Sequence, residues 1–406
     1  MRTGITPEKK LHTGRSVWMR MGGQTVPVRP LTASIKADVA IVGAGVSGAF
    51  MAEALTRRFG AVVILDRRPP ASGATSASTA MLQFEIDEPL TKLSDKIGAR
   101  QANAAWRRSY RATQELQSLV RAEGLRCGLA SRASLYLAGN EMGARALKDE
   151  AAARRRIGLP GDFLDAGHLK AQFGIARTGA IFSEGSAIAN PVQLAAALLR
   201  LAHRRGARVH VPANVTGIMA TPHGVVLNAG AHFIEARHAV FCTGYEALKG
   251  LPTKGMKITS SWGVASRPGI AYPAWLNRTV VWEASTPYLY LRTTPDGRIV
   301  AGGEDEDIDL PRYRARSLHG KARRIASKLK RLHGDLAFTP AYAWSGAFGE
   351  SGDGLPVIDA VPDMPNCYAV MGFGGNGTIY SRIAADIVPT LIAGRPDKDA
   401  GIYRFR

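Results

Sequence analysis

The sequence predicts an α/β fold: a doubly wound sheet assembled from separated segments of chain, with a β-rich segment inserted between them. Three observations carry this. Residues 37–68, "ADVAIVGAGVSGAFMAEALTRRFGAVVILDRR", run strand, glycine turn, helix, strand. Residues 366–393 repeat a strand, glycine turn and helix near the other end, and 257 to about 303 is rich in strands with no helical period.

Composition sets the outer bounds. A chain of 406 residues, 46% hydrophobic and 21% charged, is long enough for two domains or one large one. The formal charge of +20 admits nucleic acid, an anionic membrane surface or an acidic ligand as partner. The basic residues are scattered, and the tightest runs, at 154–156 and 203–205, read as solvated helix faces. This disfavours nucleic acid and leaves a peripheral membrane contact open. Cys127, Cys242 and Cys367 lie far apart, which suits a reducing compartment and neither a metal site nor a disulfide framework. "MRTGITPEKK" lacks the apolar core of a secretory signal, and no run of about eighteen apolar residues suggests a transmembrane segment. The expected location is cytoplasmic.

In chain order, residues 1–36 read as an extended basic arm anchored by Trp18. Pro89 to Gly124 is helical, 133–139 a strand and 143–158 a helix. Asn190 and Pro191 stand in cap and first-turn positions of a helix that leads into a strand near 211. A strand-rich stretch follows, then a basic helix over 312–333. The order divides the chain into the arm (1–36), a discontinuous nucleotide domain (37–85, 178–250 and 341–394) and an inserted helical and β-sheet substrate domain (86–177 and 251–340).

"GAGVSG" places Gly43, Gly45 and Gly48 in G-x-G-x-x-G spacing directly after an apolar strand. The first glycine permits the tight turn, the second clears the pyrophosphate position, and the third lets helix and strand approach. Amides at the helix start, around Val46 and Ser47, then face phosphates. Asp66 closes the second strand, where a carboxylate can accept both ribose hydroxyls, with Arg67 next to it. Flanked by both strands and followed by the acid, the motif indicates a Rossmann-type dinucleotide site.

The loop "GATSASTAMLQFE" (73–85), "VFCTG" (240–244), "DGLPVID" (353–359) and "MGFGGNGT" (371–378) extend the pattern. With them the chain resembles the D-amino acid oxidase superfamily of FAD-dependent oxidoreductases, within it most closely glycine oxidase and related amine-oxidising enzymes, from about Asp38 to Gly394. The resemblance implies a Rossmann-type FAD-binding domain with non-covalent FAD, since no cysteine or histidine falls where relatives attach flavin. It places Ala74, Thr75, Ser76, Thr79, Ala80 and Met81 along the flavin, and Val215, Thr243 and Gly244 at the nucleotide end. The turn containing Gly372, Gly374, Gly375, Asn376, Gly377 and Thr378 would aim N–H groups at the flavin C2 carbonyl.

On the substrate side the chain departs from the family. Amino-acid-oxidising relatives carry a carboxylate-clamping arginine where "SGAFGESGDG" has Phe348, and the glycine oxidase branch carries another where Gly375 stands. In "PYLYLRTTPDGRIVAGG" a strand and turn set Tyr288, Tyr290 and Arg292 on one face. Arg292 is then the remaining cation for an acidic substrate group, or a structural rim residue. Tyr288, Phe348 and Gln83 complete the catalytic candidates. No histidine falls in a flavin motif, which favours a small amine or amino/imino acid, oxidised at its C–N bond by hydride transfer to flavin N5. A 2-hydroxy-acid or glycerol-phosphate-type dehydrogenase and a tRNA-modifying flavoprotein are the alternatives. The electron acceptor would be dioxygen, a quinone or another carrier.

Overall fold

The computed structural model describes residues 4–22, 25–251, 255–336, 338–395 and 397–406. Residues 1–3, 23 and 24 of the arm, and 252–254 and 337 of the inserted segment, lie outside them.

One sheet runs Val357–Ala360, Cys367–Met371, His232–Phe241, Ile35–Val42, Val62–Leu65 and Arg208–His210. Its central pairs are parallel: Ile41 lies opposite Ile64 on one side and Val240 on the other. Val39, Ala40, Ile41 and Val42 are all buried. That unbroken apolar run is what a parallel strand covered on both faces requires. Helices Val46–Leu55, Pro191–Arg204 and Gly377–Ile392 contribute to the core on one face. The strands Val215–Thr221 and Gly224–Ala229 share the core on the other. Asn190 caps the second helix: its side-chain oxygen accepts from the N–H groups of Val192 and Gln193, both at 3.1 Å, and Pro191 occupies the first turn.

The second sheet has ten strands and is almost wholly antiparallel. It runs His12–Gly14, Tyr342–Glu350, Lys257–Ala265, Ile299–Glu306, Leu289–Thr293, Thr279–Glu283, Ala130–Leu137, Gly179–Ile188 and Met81–Leu82, with Asp162–Asp165 also paired to Gly179–Ile188. In the Leu289–Thr293 hairpin Arg292 faces Val300 and Tyr290 faces Gly302. Helix Pro311–Leu332 buries Ile325 and Leu329 in this sheet's core.

The sequence-derived boundaries need correction. Gly179–Ile188 and Tyr342–Glu350, assigned to the nucleotide domain, pair in the ten-stranded sheet. Helix Ala99–Ala122, assigned to the insert, packs its Trp106 and Leu116 into the core of the nucleotide domain. A strand's period shows that it is half-buried but not which neighbour it pairs with. The arm joins both units. His12–Gly14 extends the ten-stranded sheet, while the Ile5 N–H donates to Val215 O and that of Arg29 to Val209 O.

Candidate functional site: two adjoining cavities

The glycine turn, Asp66 and the arm enclose a first cavity, lined among others by Gly43, Gly45, Val46, Ser47, Asp66, Arg67, Ala74, Thr75, Val215, Thr243 and Gly244. Gly43 has φ +114°, and a Cβ there would collide with the Cys242 carbonyl. Gly48 lies behind the cavity against the Gly43 carbonyl, where any side chain would separate helix from strand. Gly45, at the N-cap of helix Val46–Leu55, has no side chain to cap the first turn, whose Val46 and Ser47 line the cavity. Thr75 Oγ1 accepts from the Val46 N–H at 3.0 Å. Asp66 accepts from the Ala44 N–H (2.7 Å) and the Arg68 N–H (2.8 Å). Burial raises its pKa, and those two amides oppose the rise. Arg67 and Arg68 both pair with Glu246, at 2.7 and 2.5 Å, and the Lys9 N–H reaches the same carboxylate at 2.6 Å. A helix start without an N-cap side chain, short hydroxyls and a cavity-lining acid fit a dinucleotide. Ser76 is a correction: its hydroxyl turns back to the Gly73 carbonyl at 2.9 Å and lines neither cavity.

A second cavity shares Ala74, Ser78, Tyr245, Gly375 and Thr378 with the first. Thr79, Ala80, Met81, Gln83, Gly374, Asn376, Tyr288, Tyr290 and Phe348 line it as well. Gly377 borders only the first cavity, and Gly372 neither; Gly372 turns the chain at φ +73° ahead of the loop. Gln83, Glu85 and Asp87 all face this space, while the intervening Phe84 and Ile86 are wholly buried. The bends that follow strand Met81–Leu82 thus put three polar groups on one wall. Gln83 Nε2 donates to Ser134 Oγ at 3.3 Å. Asp87 Oδ2 accepts from the Gly375 N–H at 2.6 Å. Its side chain is exposed at the cavity wall. Desolvation pushes its pKa up to about 6, the Gly375 amide opposing and Glu350 and Glu88 adding to the rise. Asp305, beside Tyr288, is likewise raised to about 6 by burial, against the hydroxyls of Ser261 and Tyr288. Among the described residues no lysine, arginine or histidine lines it.

Arg292 is the principal correction. It shares a strand face with Tyr288 and Tyr290, yet it is 1% exposed and does not line the cavity. Its guanidinium donates to the carbonyls of Thr79 (2.8 Å), Ala189 (2.7 Å) and Thr293 (3.2 Å) and lies 4.9 Å from the centre of the Trp18 ring. Burial first, and the charge of Arg132 second, pull its pKa down to about 9. Trp344 Nε1 donates to Ala77 O (2.8 Å) and Trp18 Nε1 to Ser78 O (2.6 Å). Three consecutive carbonyls of the loop between the cavities are therefore tied down by three large side chains. Arg292 is a clamp on that loop.

Compared with known proteins, the chain matches the FAD dependent oxidoreductase family (DAO) over residues 38–389. It belongs to this family. A glycine oxidase from Geobacillus kaustophilus is 26% identical over 371 residues, covering 87% of this chain and 92% of that protein. The tRNA 5-methylaminomethyl-2-thiouridine biosynthesis bifunctional protein MnmC of an Azoarcus species is 28% identical over 400 residues, covering 91% of this chain but 59% of that relative. The crystal structure of the Geobacillus kaustophilus glycine oxidase superposes with a TM-score of 0.75, at 22% identity, over 91% of this chain and 99% of that one.

In this FAD-dependent oxidoreductase the first cavity carries the groups that would hold the nucleotide and pyrophosphate. The residues shared by the two cavities would hold the flavin end. The cofactor is non-covalent: no cysteine or histidine lines the second cavity, and Cys242, which borders the first, is buried with its thiol pKa driven up by desolvation. The sequence reading missed Asp87, Tyr245 and the arm residues Ile5, Thr6 and Leu11. Only Asp87 left a signal, as the next step in the Gln83, Glu85 alternation. Among the described residues no helix is long and apolar enough to cross a membrane.

Proposed function

We propose that this oxidoreductase oxidises a C–N bond of a small amine or amino/imino acid. The observation that carries the reading is the cavity beside the cofactor groove, walled by aromatic rings and carboxylates and without a lining histidine. FAD, when bound, supplies the hydride acceptor. The chain's own part is to exclude water with Trp282, Tyr288, Tyr290 and Phe348, and to take the proton that frees the amine lone pair. A carboxylate raised to about 6, such as Asp87, stays mostly ionised near neutrality and is a stronger base than a free aspartate, which suits accepting that proton. A 2-hydroxy acid or glycerol phosphate would bring an anion to an acidic wall. Dioxygen or a quinone-type carrier completes the cycle, and three buried free thiols support a reducing, cytoplasmic setting.

Anaerobic bleaching of the bound flavin by a panel of amines, amino acids and 2-hydroxy acids tests this. Reduction by a C–N substrate supports the proposal, and reduction by hydroxy acids alone would overturn it. The MnmC likeness and the +20 charge favour a second reading, in which the oxidised amine is carried on tRNA. Salt-sensitive retention of tRNA would support it, and failure to bind tRNA at low salt would remove it.

A further inference from the structure

The charge around the second cavity is one-sided. Asp87 has no ion-pair partner among the described residues; its hydrogen bond comes from a neutral backbone amide. Glu85 is 2% exposed, borders the same space, and its Oε1 accepts no hydrogen bond. That oxygen is ion-paired with Arg154 at 3.9 Å, whose Nε serves Glu150 at 2.8 Å, so among the described residues Asp87 is the lining carboxylate left without a cation. Asp305 Oδ1 is also without a hydrogen-bond donor. Gly375 carries no side chain to compensate Asp87, whose carboxylate oxygens stand 2.9–3.0 Å from where a Cβ would lie. Across the cavity the rings of Tyr288 and Tyr290 lie 5.4 Å apart at 38°. Their faces carry the negative end of the ring quadrupole and attract cations.

These features share one complement. We propose that the cavity selects a substituted ammonium bearing no carboxylate, its positive charge held at Asp87 and against the faces of Tyr288 and Tyr290. The inference rests on the C–N reading above and narrows its substrate from amines and amino acids together to amines alone. An amino acid would set its own carboxylate beside Glu85 and Asp87, with no lining cation among the described residues to receive it. Like charges juxtaposed in a desolvated site are strongly disfavoured.

The test uses the holoenzyme and two unreactive ligands of one shape and opposite charge, benzyltrimethylammonium and benzoate, titrated calorimetrically. The cation should bind at least ~10-fold more tightly, the scale of one interaction with a charged partner. Asp87→Asn, which retains an oxygen for the Gly375 N–H, should weaken the cation by roughly the same factor and leave flavin content unchanged. Equal or tighter benzoate binding, no cation binding at millimolar concentration, or an unaltered cation affinity in Asp87→Asn would each overturn the inference. Anaerobic bleaching by size-matched pairs, such as benzylamine against phenylglycine, separates the two levels. Bleaching by the amino acid alone would remove this inference and leave C–N oxidation standing. Bleaching by neither of them but by a 2-hydroxy acid would remove the C–N reading itself.

Discussion

Replacing Arg292 by methionine distinguishes a loop clamp from a substrate clamp. The change keeps a long apolar stem but withdraws the donors now serving the carbonyls of Thr79, Ala189 and Thr293, and the cation beneath Trp18. Leaving the Thr79 and Ala189 carbonyls, held at 2.8 and 2.7 Å against 3.2 Å for Thr293, without that donor costs about 1–3 kcal/mol each. The ring contact adds about 1 kcal/mol or more. Against this, the mutation removes a buried charge with no carboxylate partner, a burden already visible in the lowered pKa. The net loss should be about 2–4 kcal/mol. For a chain of 406 residues, unfolding entropy near 2.1 cal/mol/K per residue converts this into a fall of roughly 2–5 °C in melting temperature. Holoenzyme melting and FAD-release titration read both consequences, since the freed loop borders the cofactor groove. The preference for cationic over anionic ligands should survive. An unaltered melting temperature and FAD affinity, together with a substrate affinity weakened tenfold or more, would refute the clamp and return Arg292 to the substrate.

Asp66→Ala should weaken FAD by about 1–3 kcal/mol, measured by flavin fluorescence on dilution, because the carboxylate both faces the cavity and orders the Ala44 and Arg68 amides. Phe348→Arg places a cation in the acidic cavity; it should abolish calorimetric binding of benzyltrimethylammonium and allow benzoate to bind. Cation affinity should also rise as pH increases through about 6. Asp87 and Asp305 have pKa values raised to that region, so they are neutral below it and negative above it, while an alkylammonium stays charged throughout. The charged groups that shift Asp87 are Glu88 and Glu350, both acids, so nothing there reverses the sign. Calorimetry at pH 5 and 7.5 should show the difference in the wild type and much less of it in Asp87→Asn.

Legibility followed the range of the interaction. The strand Ile35–Val42 and its glycine turn could be read because their constraint is local: a run buried on both faces must be apolar, and Gly43 must adopt φ +114° beneath the Cys242 carbonyl. The family motifs were legible for the same reason, each confined to a few consecutive residues. The partners of Gly179–Ile188 were not, because alternation marks a strand but leaves its neighbour to the rest of the sheet.

The two residues that decide the substrate side show the division most sharply. By itself the sequence determined that Tyr288, Tyr290 and Arg292 share a strand face, since a strand's side-chain period is two; that Gln83, Glu85 and Asp87 share a wall came from the folded chain. Only the tertiary structure decided what covers each face. Trp18, from an arm more than 270 positions upstream of Arg292, seals one end of the first face and turns that cation into a clamp. The wall of Gln83, Glu85 and Asp87, a pattern that otherwise suits solvent, is enclosed by Tyr288, Tyr290 and the Gly375 turn and becomes the inside of a cavity. Charge acquires its consequence from desolvation, and desolvation belongs to whichever distant segments close over it.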